Sequence, residues 1–479
     1  MKFVFPLTIF PKTLLLCAVI MGAMSSISTA RDPLPGKWNG VLNVQGTALR
    51  LVFHLKPANV GYKATMDSPD QGVTGIPASS VSFADQVLKI TISTAGIIYE
   101  GTLKNDSLIT GVFIQNGTSF SLNLKKATSG KEVNINRPQE PVPPFPYDSE
   151  EVYFENESAN IRLAGTLTLP QQGSRFPAVV LISGSGPQNR DEELLGHKPF
   201  LVLADYLSRR GIAVFRYDDR GTSKSGGQFK GATTADFATD AAAAIDYLKD
   251  RKEINKSQIG LIGHSEGGLI APMIASRDQE LAFIILLAGP GMPGSSLLPL
   301  QQRLIGKAAG LPEEQLRESS RISERAFAII SGAGSQSETE QELSAVLEQA
   351  FSNIPDSQLP PGTTKTAFIR QQMEQLTDPW MRYFLTYDPL PALNLVKCPV
   401  LALNGSKDLQ VPPRENLAAI KNALEAGGNK HVTIKELTGL NHLFQECETG
   451  SPNEYATIKQ TFSPLALNEI DKWIKAQLK

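Results

Sequence analysis

The chain has 479 residues, of which 41% are hydrophobic and 20% charged, the balance of a globular protein with room for two or three domains. Its formal net charge is -2 and no long basic run occurs, which argues against a polyanionic partner such as nucleic acid. The five histidines and three cysteines form no cluster with metal-ligand spacing, so we expect neither a metal site nor a disulfide framework.

The first 30 residues have the pattern of a secretory signal peptide. Lys2 and Lys12 supply positive charge, an apolar core covers residues 14–21, and small residues lead up to Ala30. A membrane anchor is the alternative, but the apolar run is shorter than the roughly 20 residues that a spanning helix needs. We therefore predict cleavage after Ala30, export to the periplasm or the medium, and no membrane span in the mature protein.

Residues 31–130 alternate between apolar and polar side chains in short runs, for example at 87–92 and 119–124. Gly, Asn and Asp separate these runs. The pattern predicts a small all-β domain, either a barrel or a sandwich. Residues 131–149 are rich in proline and predict a stiff linker between two domains.

Residues 150–479 alternate between apolar runs and helical segments. The runs are typical of buried parallel strands and cover 178–182, 212–215, 259–262, 283–287, 400–403 and 432–434. They predict a doubly wound, mostly parallel α/β sheet. The interval between residues 287 and 400 has no such run, and its helical patterns cover 297–309, 313–330, 340–351 and 366–376. We predict a helical cap inserted at about residues 291–395.

Residues 263–267 have the sequence G-x-S-x-G, with Ser265 at the centre. The motif follows a strand-like run and precedes a helix-like run. In this setting a sharp turn exposes a serine at the start of a helix, whose dipole favours a developing anion. The sequence therefore predicts that Ser265 is a nucleophile, with an ordinary Gly-rich turn as the alternative.

A serine nucleophile needs a base, and a carboxylate must orient that base. In enzymes with this turn the acid and then the histidine follow the serine, and only His431 and His442 do so here. His431 opens a strand at the end remote from the site, whereas His442 lies in the loop after that strand, so we predict His442 as the base. Asp408 follows the preceding strand and is the predicted acid, with Glu415 as the alternative.

Two backbone N–H groups must stabilise the oxyanion of an acyl transfer. We predict the N–H groups of Glu266, next to the nucleophile, and of Ser185, in the Gly-rich loop 183–187 after the first core strand. A plain turn is the alternative for this loop.

Three other groups have weaker patterns. We expect the charged turn 218–221 to satisfy buried backbone groups rather than hold a substrate. Residues 189–193 either rim the pocket or form a solvated loop. Trp380, Tyr383 and Phe384 have helical spacing, which predicts that they pack within the cap. The alternative is that they line the acyl site.

In this order the motifs resemble the α/β-hydrolase superfamily, from about residue 150 to residue 479. More closely, they resemble bacterial carboxylesterases related to the serine aminopeptidase and acyl-peptidase branch. The resemblance rests on segments 183–187, 217–221, 263–268, 404–408 and 441–442. It implies an acyl-enzyme, no metal or organic cofactor, and a helical cap after the sixth strand. Ser183 stands where many lipases have His, which weakens a specific lipase assignment.

The predicted reaction is hydrolysis of carboxylic esters of small or medium acyl groups, which suits a capped pocket. A serine aminopeptidase or acyl-peptidase would use the same triad on short peptides and would need an acidic group for the substrate amine, such as Asp191 or Glu192. A binding protein with a secondary hydrolase domain is the third hypothesis. The sequence leaves open whether Cys398 pairs with Cys447 and whether the chain forms a homo-oligomer.

Overall fold

The computed structural model describes most of the chain, in the ranges 32–44, 47–58, 60–68, 73–115, 118–127, 137–332, 334–352 and 364–478. The predicted signal peptide, residues 1–30, lies outside the described residues. The chain divides into two compact units. One contains the described residues of 135–350 and 371–479, and the other contains those before 135 together with those of 351–370.

The described part of the N-terminal unit contains nine strands: β1 (Gly36–Val44), β2 (Thr47–Pro57), β3 (Tyr62–Ser68), β4 (Val73–Pro77), β5 (Ser80–Ala84), β6 (Val87–Ile92), β7 (Ile97–Asn105), β8 (Leu108–Gln115) and β9 (Thr118–Lys126). They form one sheet in the order β4-β3-β2-β1-β9-β8-β7-β6-β5. All of its neighbouring strands are antiparallel. Strands β3 and β5, near opposite ends of this order, also contact each other, so the sheet curls on itself.

Side chains fill the interior of this curled sheet. Trp38, Phe53, Tyr99 and Phe113 are at most 1% exposed. In β6, buried and more exposed positions alternate, as the pleat of a strand with one buried face requires. One curled sheet with a filled interior corresponds to the barrel alternative rather than to a sandwich of two sheets.

The second unit contains an eight-stranded sheet built from β10 (Tyr147–Asn156), β11 (Ile161–Pro170), β12 (Phe176–Ile182), β13 (Ala213–Tyr217), β14 (Ile254–His264), β15 (Phe283–Leu287), β16 (Val400–Gly405) and β17 (Val432–Leu437). Its order is β10-β11-β13-β12-β14-β15-β16-β17. The pairs that include β11 are antiparallel, and all other pairs are parallel. This is the predicted doubly wound, mostly parallel sheet.

Eleven α-helices are described: α1 (Pro199–Ser208), α2 (Thr234–Lys249), α3 (Gly267–Ala275), α4 (Gly294–Ala308), α5 (Glu313–Ser331), α6 (Gln336–Phe351), α7 (Lys365–Leu376), α8 (Pro379–Thr386), α9 (Leu390–Leu395), α10 (Pro413–Ala426) and α11 (Pro464–Gln477). Helices α1 and α11 cover one face of the large sheet, where Leu203 and Ile470 are fully buried. Helices α2, α3 and α10 cover the other face, where Ala241 and Ala271 are fully buried. The sheet therefore has an apolar core on each side.

Helices α4 to α9 lie between β15 and β16, where the sequence predicts the cap. Helices α4 to α7 fall on the four predicted helical segments, and α8 and α9 add two short helices. Within the described ranges, no helix is long and apolar enough to cross a membrane.

Strands β10 and β11 were not predicted from the sequence. Strand β10 is an edge strand whose outward positions include Glu150 and Glu151, so it lacks the continuous apolar run of a buried strand. The predicted linker, residues 131–149, is therefore wrong at its C-terminal end. Residues 147–149 pair with β11, and the side chain of Tyr147 is buried.

The described part of the linker is also bound to the α/β unit. The Arg137 guanidinium donates to the carbonyl oxygen of Leu195 at 2.8 Å. The Gln139 side-chain amide donates to the carbonyl oxygen of Phe462 at 2.6 Å and accepts from its N–H at 3.1 Å. The polar residues between the prolines thus fix this segment by hydrogen bonds to the α/β unit.

Candidate active site

Ser265 lies in the sharp turn between β14 and α3. Its φ angle is 51°, in the left-handed region that non-glycine residues rarely adopt, and its N–H donates to the carbonyl oxygen of Leu287 at 2.9 Å. A Cβ on Gly263 would lie 2.0 Å from the carbonyl oxygen of Gly267, so this turn requires glycine. The turn presents Ser265 at the carboxyl end of the parallel strands, beside the N-terminus of α3.

The loops after β16 and β17 bring Asp408 and His442 together. The Nδ1 atom of His442 lies 2.8 Å from Oδ2 of Asp408, and both side chains are buried. The other carboxylate oxygen, Oδ1, accepts the backbone N–H groups of Gln410 and Val411 at 2.8 and 2.9 Å. These bonds fix the carboxylate, which holds the proton of His442 on Nδ1 and leaves Nε2 as an acceptor.

The two residues weighed as alternatives lie elsewhere. Glu415 is exposed in the first turn of α10, and His431 precedes β17 at the amino end of the parallel strands. The structure therefore joins the predicted acid to the predicted base and includes neither alternative in that pair.

The loop after β12 lies against Ser265. A Cβ on Gly184 would lie 3.1 Å from the Cβ of Ser265, which shows how closely the two segments approach. Among the described residues, the N–H groups of Ser185 and Glu266 donate to no protein acceptor, whereas the N–H of Gly184 donates to Glu192 at 2.8 Å. The two predicted oxyanion donors thus remain available to a ligand.

Ser183 anchors this loop to the charged turn 218–221. The Ser183 hydroxyl donates to Oδ1 of Asp219 at 2.8 Å, and the Gln188 N–H donates to Oδ2 at 2.8 Å. Burial raises the pKa of Asp219 well above its ordinary value of 3.8, although these hydrogen bonds oppose the shift. The turn holds the neighbouring loop, in keeping with the structural role expected for it.

Residues 189–193 form a half-buried loop in which Arg190 and Glu192 are buried, so the loop is not simply solvated. The Nη2 atom of Arg190 lies 2.6 Å from Oδ2 of Asp218, and Asp191 forms an ion pair with Arg216. The loop can be buried because its charges meet opposite charges from β13 and the residue after it. Sequence spacing does not reveal such pairs.

Beside Ser265, Glu192, which the sequence offered only as a partner for a substrate amine, meets His264, for which no role was predicted. The Nδ1 atom of His264 lies 2.8 Å from Oε1 of Glu192. The Nε2 atom of the same ring lies 3.0 Å from the carbonyl oxygen of His442. His264 is the first variable residue of the G-x-S-x-G motif, which was the only sequence signal for its position.

The side chain of Glu266 links the nucleophile turn to the cap. Its Oε1 accepts the Thr234 hydroxyl at 2.6 Å and the indole N–H of Trp380, on α8, at 2.8 Å. Burial raises the pKa of this carboxyl above its ordinary value of 4.5, against the effect of the two hydrogen bonds. Trp380 also stacks on Phe384 at 5.1 Å, so it packs within the cap and contacts the core as well.

A cavity of about 360 Å³ lies between α2, α3 and the cap helices α8 and α9, and Tyr383 lines it. Ser265, Asp408 and His442 do not line this cavity. In the part of the chain that the structure describes, no group of three His, Cys, Asp or Glu side chains could hold a metal ion.

The two cysteines of the α/β unit, Cys398 and Cys447, are free thiols in the structure. Burial raises the pKa of Cys398 to about 12, which disfavours its reactive thiolate. The sequence left open whether these two cysteines form a disulfide, and in the structure they do not.

Comparisons with known proteins also indicate a serine hydrolase. Residues 198–347 match the family model described as serine aminopeptidase, S33. Esterase EstD of Thermotoga maritima is 26% identical over 325 residues, which cover 67% of this chain and 68% of that protein. The uncharacterized protein PA2218 of Pseudomonas aeruginosa is 28% identical over 174 residues, which cover 35% of this chain and 45% of that protein.

Among solved structures, the Pyrococcus furiosus esterase Pf2001 aligns with a TM-score of 0.41 and 18% identity, covering 69% of this chain and 93% of that chain. The family match and the sequence match agree with the strand order of the large sheet and with the sharp turn at Ser265. The protein is a serine hydrolase of the α/β-hydrolase, carboxylesterase type, and it is related to the serine aminopeptidase branch.

Proposed function

We propose that the protein hydrolyses carboxylic esters of small or medium acyl groups through an acyl-enzyme on Ser265. The observation that carries the proposal is the 2.8 Å contact between His442 and Asp408, on the loops after β17 and β16. Parallel strands present their carboxyl ends at one edge of the sheet, where the Ser265 turn also lies. In this proposal Ser265 is the nucleophile, His442 the base and Asp408 the group that orients the base.

The first half of the reaction forms the acyl-enzyme. Nε2 of His442 accepts the hydroxyl proton of Ser265 as Oγ attacks the ester carbonyl, and Asp408 stabilises the imidazolium. The N–H groups of Ser185 and Glu266 stabilise the negative charge on the carbonyl oxygen, together with the N-terminus of α3. His442 then donates its proton to the leaving alcohol.

The second half releases the acid. His442 accepts a proton from a water molecule, whose oxygen attacks the acyl carbon. The same N–H groups stabilise the second oxyanion. The proton then returns to Oγ of Ser265, and the free enzyme is restored.

An ester is favoured over a substrate with a free amine because nearby acidic side chains already have partners. Asp191 pairs with Arg216, and Glu192 lies 2.8 Å from Nδ1 of His264. A carboxylate that binds a cation within the protein attracts a substrate ammonium group less strongly. The Thermotoga maritima relative is named an esterase, which supports the same choice.

We also propose export, from the signal-like pattern of residues 1–30. N-terminal sequencing of the protein recovered from the periplasm or the medium tests it. We expect the mature chain to start at Arg31. Recovery of the uncut chain from the cytoplasm alone would contradict export.

The test of function compares the wild type with Ser265→Ala on p-nitrophenyl esters of rising acyl length and on aminoacyl p-nitroanilides. We expect cleavage of short and medium esters, and a loss of at least about 10³-fold in kcat for Ser265→Ala. Ser276→Ala, which changes a serine at the other end of α3, is the matched control and should keep wild-type activity.

The other outcomes of this comparison separate the alternatives. Anilide cleavage that requires a free amine and depends on Ser265 would make the protein an aminopeptidase. A biological activity that survives Ser265→Ala would favour the binding protein. Ester cleavage that survives the same change would exclude Ser265 as the nucleophile.

A further inference from the structure

His264 has hydrogen-bond partners that decide its protonation. It is 6% exposed, and both ring nitrogens contact oxygen atoms, Glu192 Oε1 at 2.8 Å and the His442 carbonyl at 3.0 Å. A carbonyl oxygen and a carboxylate oxygen accept hydrogen bonds and donate none, so opposite an ionised Glu192 each ring nitrogen donates. A neutral imidazole has one N–H, whereas the imidazolium has two. The geometry therefore matches a protonated His264.

Glu192 contacts the loop after β12 as well as the ring of His264. The same Oε1 atom that faces His264 also accepts the N–H of Gly184 at 2.8 Å. This oxygen thus lies within hydrogen-bond distance of the Gly184 N–H and of Nδ1 of His264. Glu192 is 5% exposed and has a φ angle of 51°, a strained backbone conformation that the surrounding contacts must maintain.

The charged and titratable groups that face His264 are Glu192, Asp408 and His442, whose ring centroid lies 4.9 Å away. The ring of Phe444 lies on another side at 6.4 Å. Burial by itself lowers the pKa of His264, but the Glu192 carboxylate, the His442 carbonyl and the Asp408 charge together raise it above 6.5. Because Glu192 balances the charge of His264, the pair adds no net charge beside the base.

We propose that Glu192 and His264 form a buried carboxylate–imidazolium pair that positions the two loops of the hydrolytic site on either side of Ser265. Through the N–H of Gly184, Glu192 holds the loop that carries the Ser185 donor. Through the carbonyl of His442, His264 holds the loop that carries the base. Both are positioning residues, and the inference rests on the function proposed above.

The pair makes the site sensitive to alkaline pH. Since the pKa of His264 is raised in the folded protein, the pair's contribution to stability is complete below about 6.5 and is lost as pH rises through the raised pKa. Loss of the proton removes one of the two donors. We therefore expect kcat to fall along an alkaline limb while KM changes little.

The direct test is nitrogen NMR of the full chain labelled with ¹⁵N in histidine, because imidazolium and neutral rings have distinct nitrogen shifts. We expect one ring with both nitrogens protonated at pH 7.5, whose signal disappears in His264→Gln. A His264 ring with one protonated nitrogen at that pH would overturn the proposal, even if Ser265 proves to be the nucleophile. This readout requires no activity.

Kinetics on p-nitrophenyl acetate from pH 6 to 10 test the positioning role. We expect Glu192→Gln to move the alkaline limb to lower pH by about one unit or more, because the opposite charge that holds the proton is gone. His264→Gln should abolish this limb and lower kcat by about 10- to 100-fold, with KM within about two-fold of the wild type. If the pair contributed only to folding, the variants would contain less active enzyme, but the pH at which kcat falls would not change.

The matched control is His54→Gln, which removes a histidine whose Nε2 lies 2.6 Å from Asp67 in the N-terminal unit. We expect it to leave the alkaline limb unchanged. An unchanged limb in both Glu192→Gln and His264→Gln would overturn the proposal. If neither variant folds, the NMR spectrum of the wild type still decides, through the count of doubly protonated rings below and above the alkaline limb.

Discussion

Asp408 shows how one side chain can fix both the position and the proton of another. Its Oδ1 is held by two backbone N–H groups, and its Oδ2 faces Nδ1 of His442 at 2.8 Å. The side chain cannot rotate without losing the two backbone bonds. The carboxylate therefore presents a fixed acceptor to the imidazole, which is what an orienting acid requires.

Asp408→Asn is expected to lower kcat by about 10³- to 10⁴-fold with little change in stability. The amide oxygen can keep the two backbone bonds, but the amide nitrogen then donates to Nδ1 of His442 and places the proton on Nε2. Steady-state kinetics and thermal unfolding check both parts. Glu415→Gln is the control, and a larger loss in that variant would move the acid to Glu415.

Gly263 shows a steric requirement at the turn that carries Ser265. The Cβ of an alanine would lie 2.0 Å from the carbonyl oxygen of Gly267, closer than nonbonded atoms can approach. The backbone must move, and the Ser265 hydroxyl must move with it.

We expect Gly263→Ala to lower kcat/KM by about 10²-fold or more and to lower the melting temperature. Gly334→Ala is the control, since its Cβ would lie 3.7 Å from the nearest atom, Oγ1 of Thr339. Assays of both variants at equal concentrations of folded protein check the difference. Wild-type activity and melting temperature in Gly263→Ala would contradict the described geometry of the turn.

At the scale of the elements, helix α8 is linked to the start of α3 by one hydrogen bond. The Trp380 indole N–H and the Thr234 hydroxyl share Oε1 of Glu266, next to Ser265. Replacing Trp380 by Phe removes the N–H together with one ring of the indole, which stacks on Phe384. A second Trp→Phe variant with the same loss of ring is therefore needed to separate the bond from the packing of the cap.

Trp380→Phe is expected to lower the free energy of unfolding by about 1–2 kcal/mol, because a buried acceptor loses a donor. The control is Trp473→Phe, which loses a 3.1 Å bond to the Thr433 hydroxyl, a neutral partner. Urea unfolding of both variants checks the prediction. A smaller loss in Trp380→Phe than in Trp473→Phe would show that the bond to Glu266 contributes little.

The sequence was sufficient for strands with a continuous apolar run and insufficient for strands without one. Strands β12 to β16 were predictable because both faces of a central parallel strand are buried, and β17, at the edge, was predictable from its short run 432–434. Strand β10 was missed because acidic side chains occupy several of its exposed positions, and β11 was missed because Gly and Thr interrupt its apolar residues. Helices α4 to α7 were predictable from their spacing, but the short helices α8 and α9 have too few turns for a clear period.

The same distinction applies to the site. Chain order and loop position were enough to predict that Asp408 and His442 would meet, because parallel strands end at one edge. The pairing of Glu192 with His264 was not predictable, since it depends on the path of the loop 189–193 and on a positive φ angle at Glu192. The two residues are 72 positions apart in the chain, and this separation does not indicate the path of the loop.

On the scale of the whole molecule, each unit has its own apolar core, and every residue assigned to the hydrolytic site belongs to the α/β unit. The site lies at the carboxyl ends of the parallel strands. The turn after β14 carries Ser265, and the loops after β12, β16 and β17 carry the groups around it. The proposed reaction depends above all on activation of the Ser265 hydroxyl by His442.

Labelling with a fluorophosphonate tests that claim most directly, because this reagent forms a covalent bond with activated serines of hydrolases. Mass spectrometry of the digested full-length protein locates the adduct. We expect one adduct per chain, on Ser265, and at least about 10²-fold slower labelling in His442→Gln. An adduct on another serine, or labelling of Ser265 at an equal rate without His442, would contradict it.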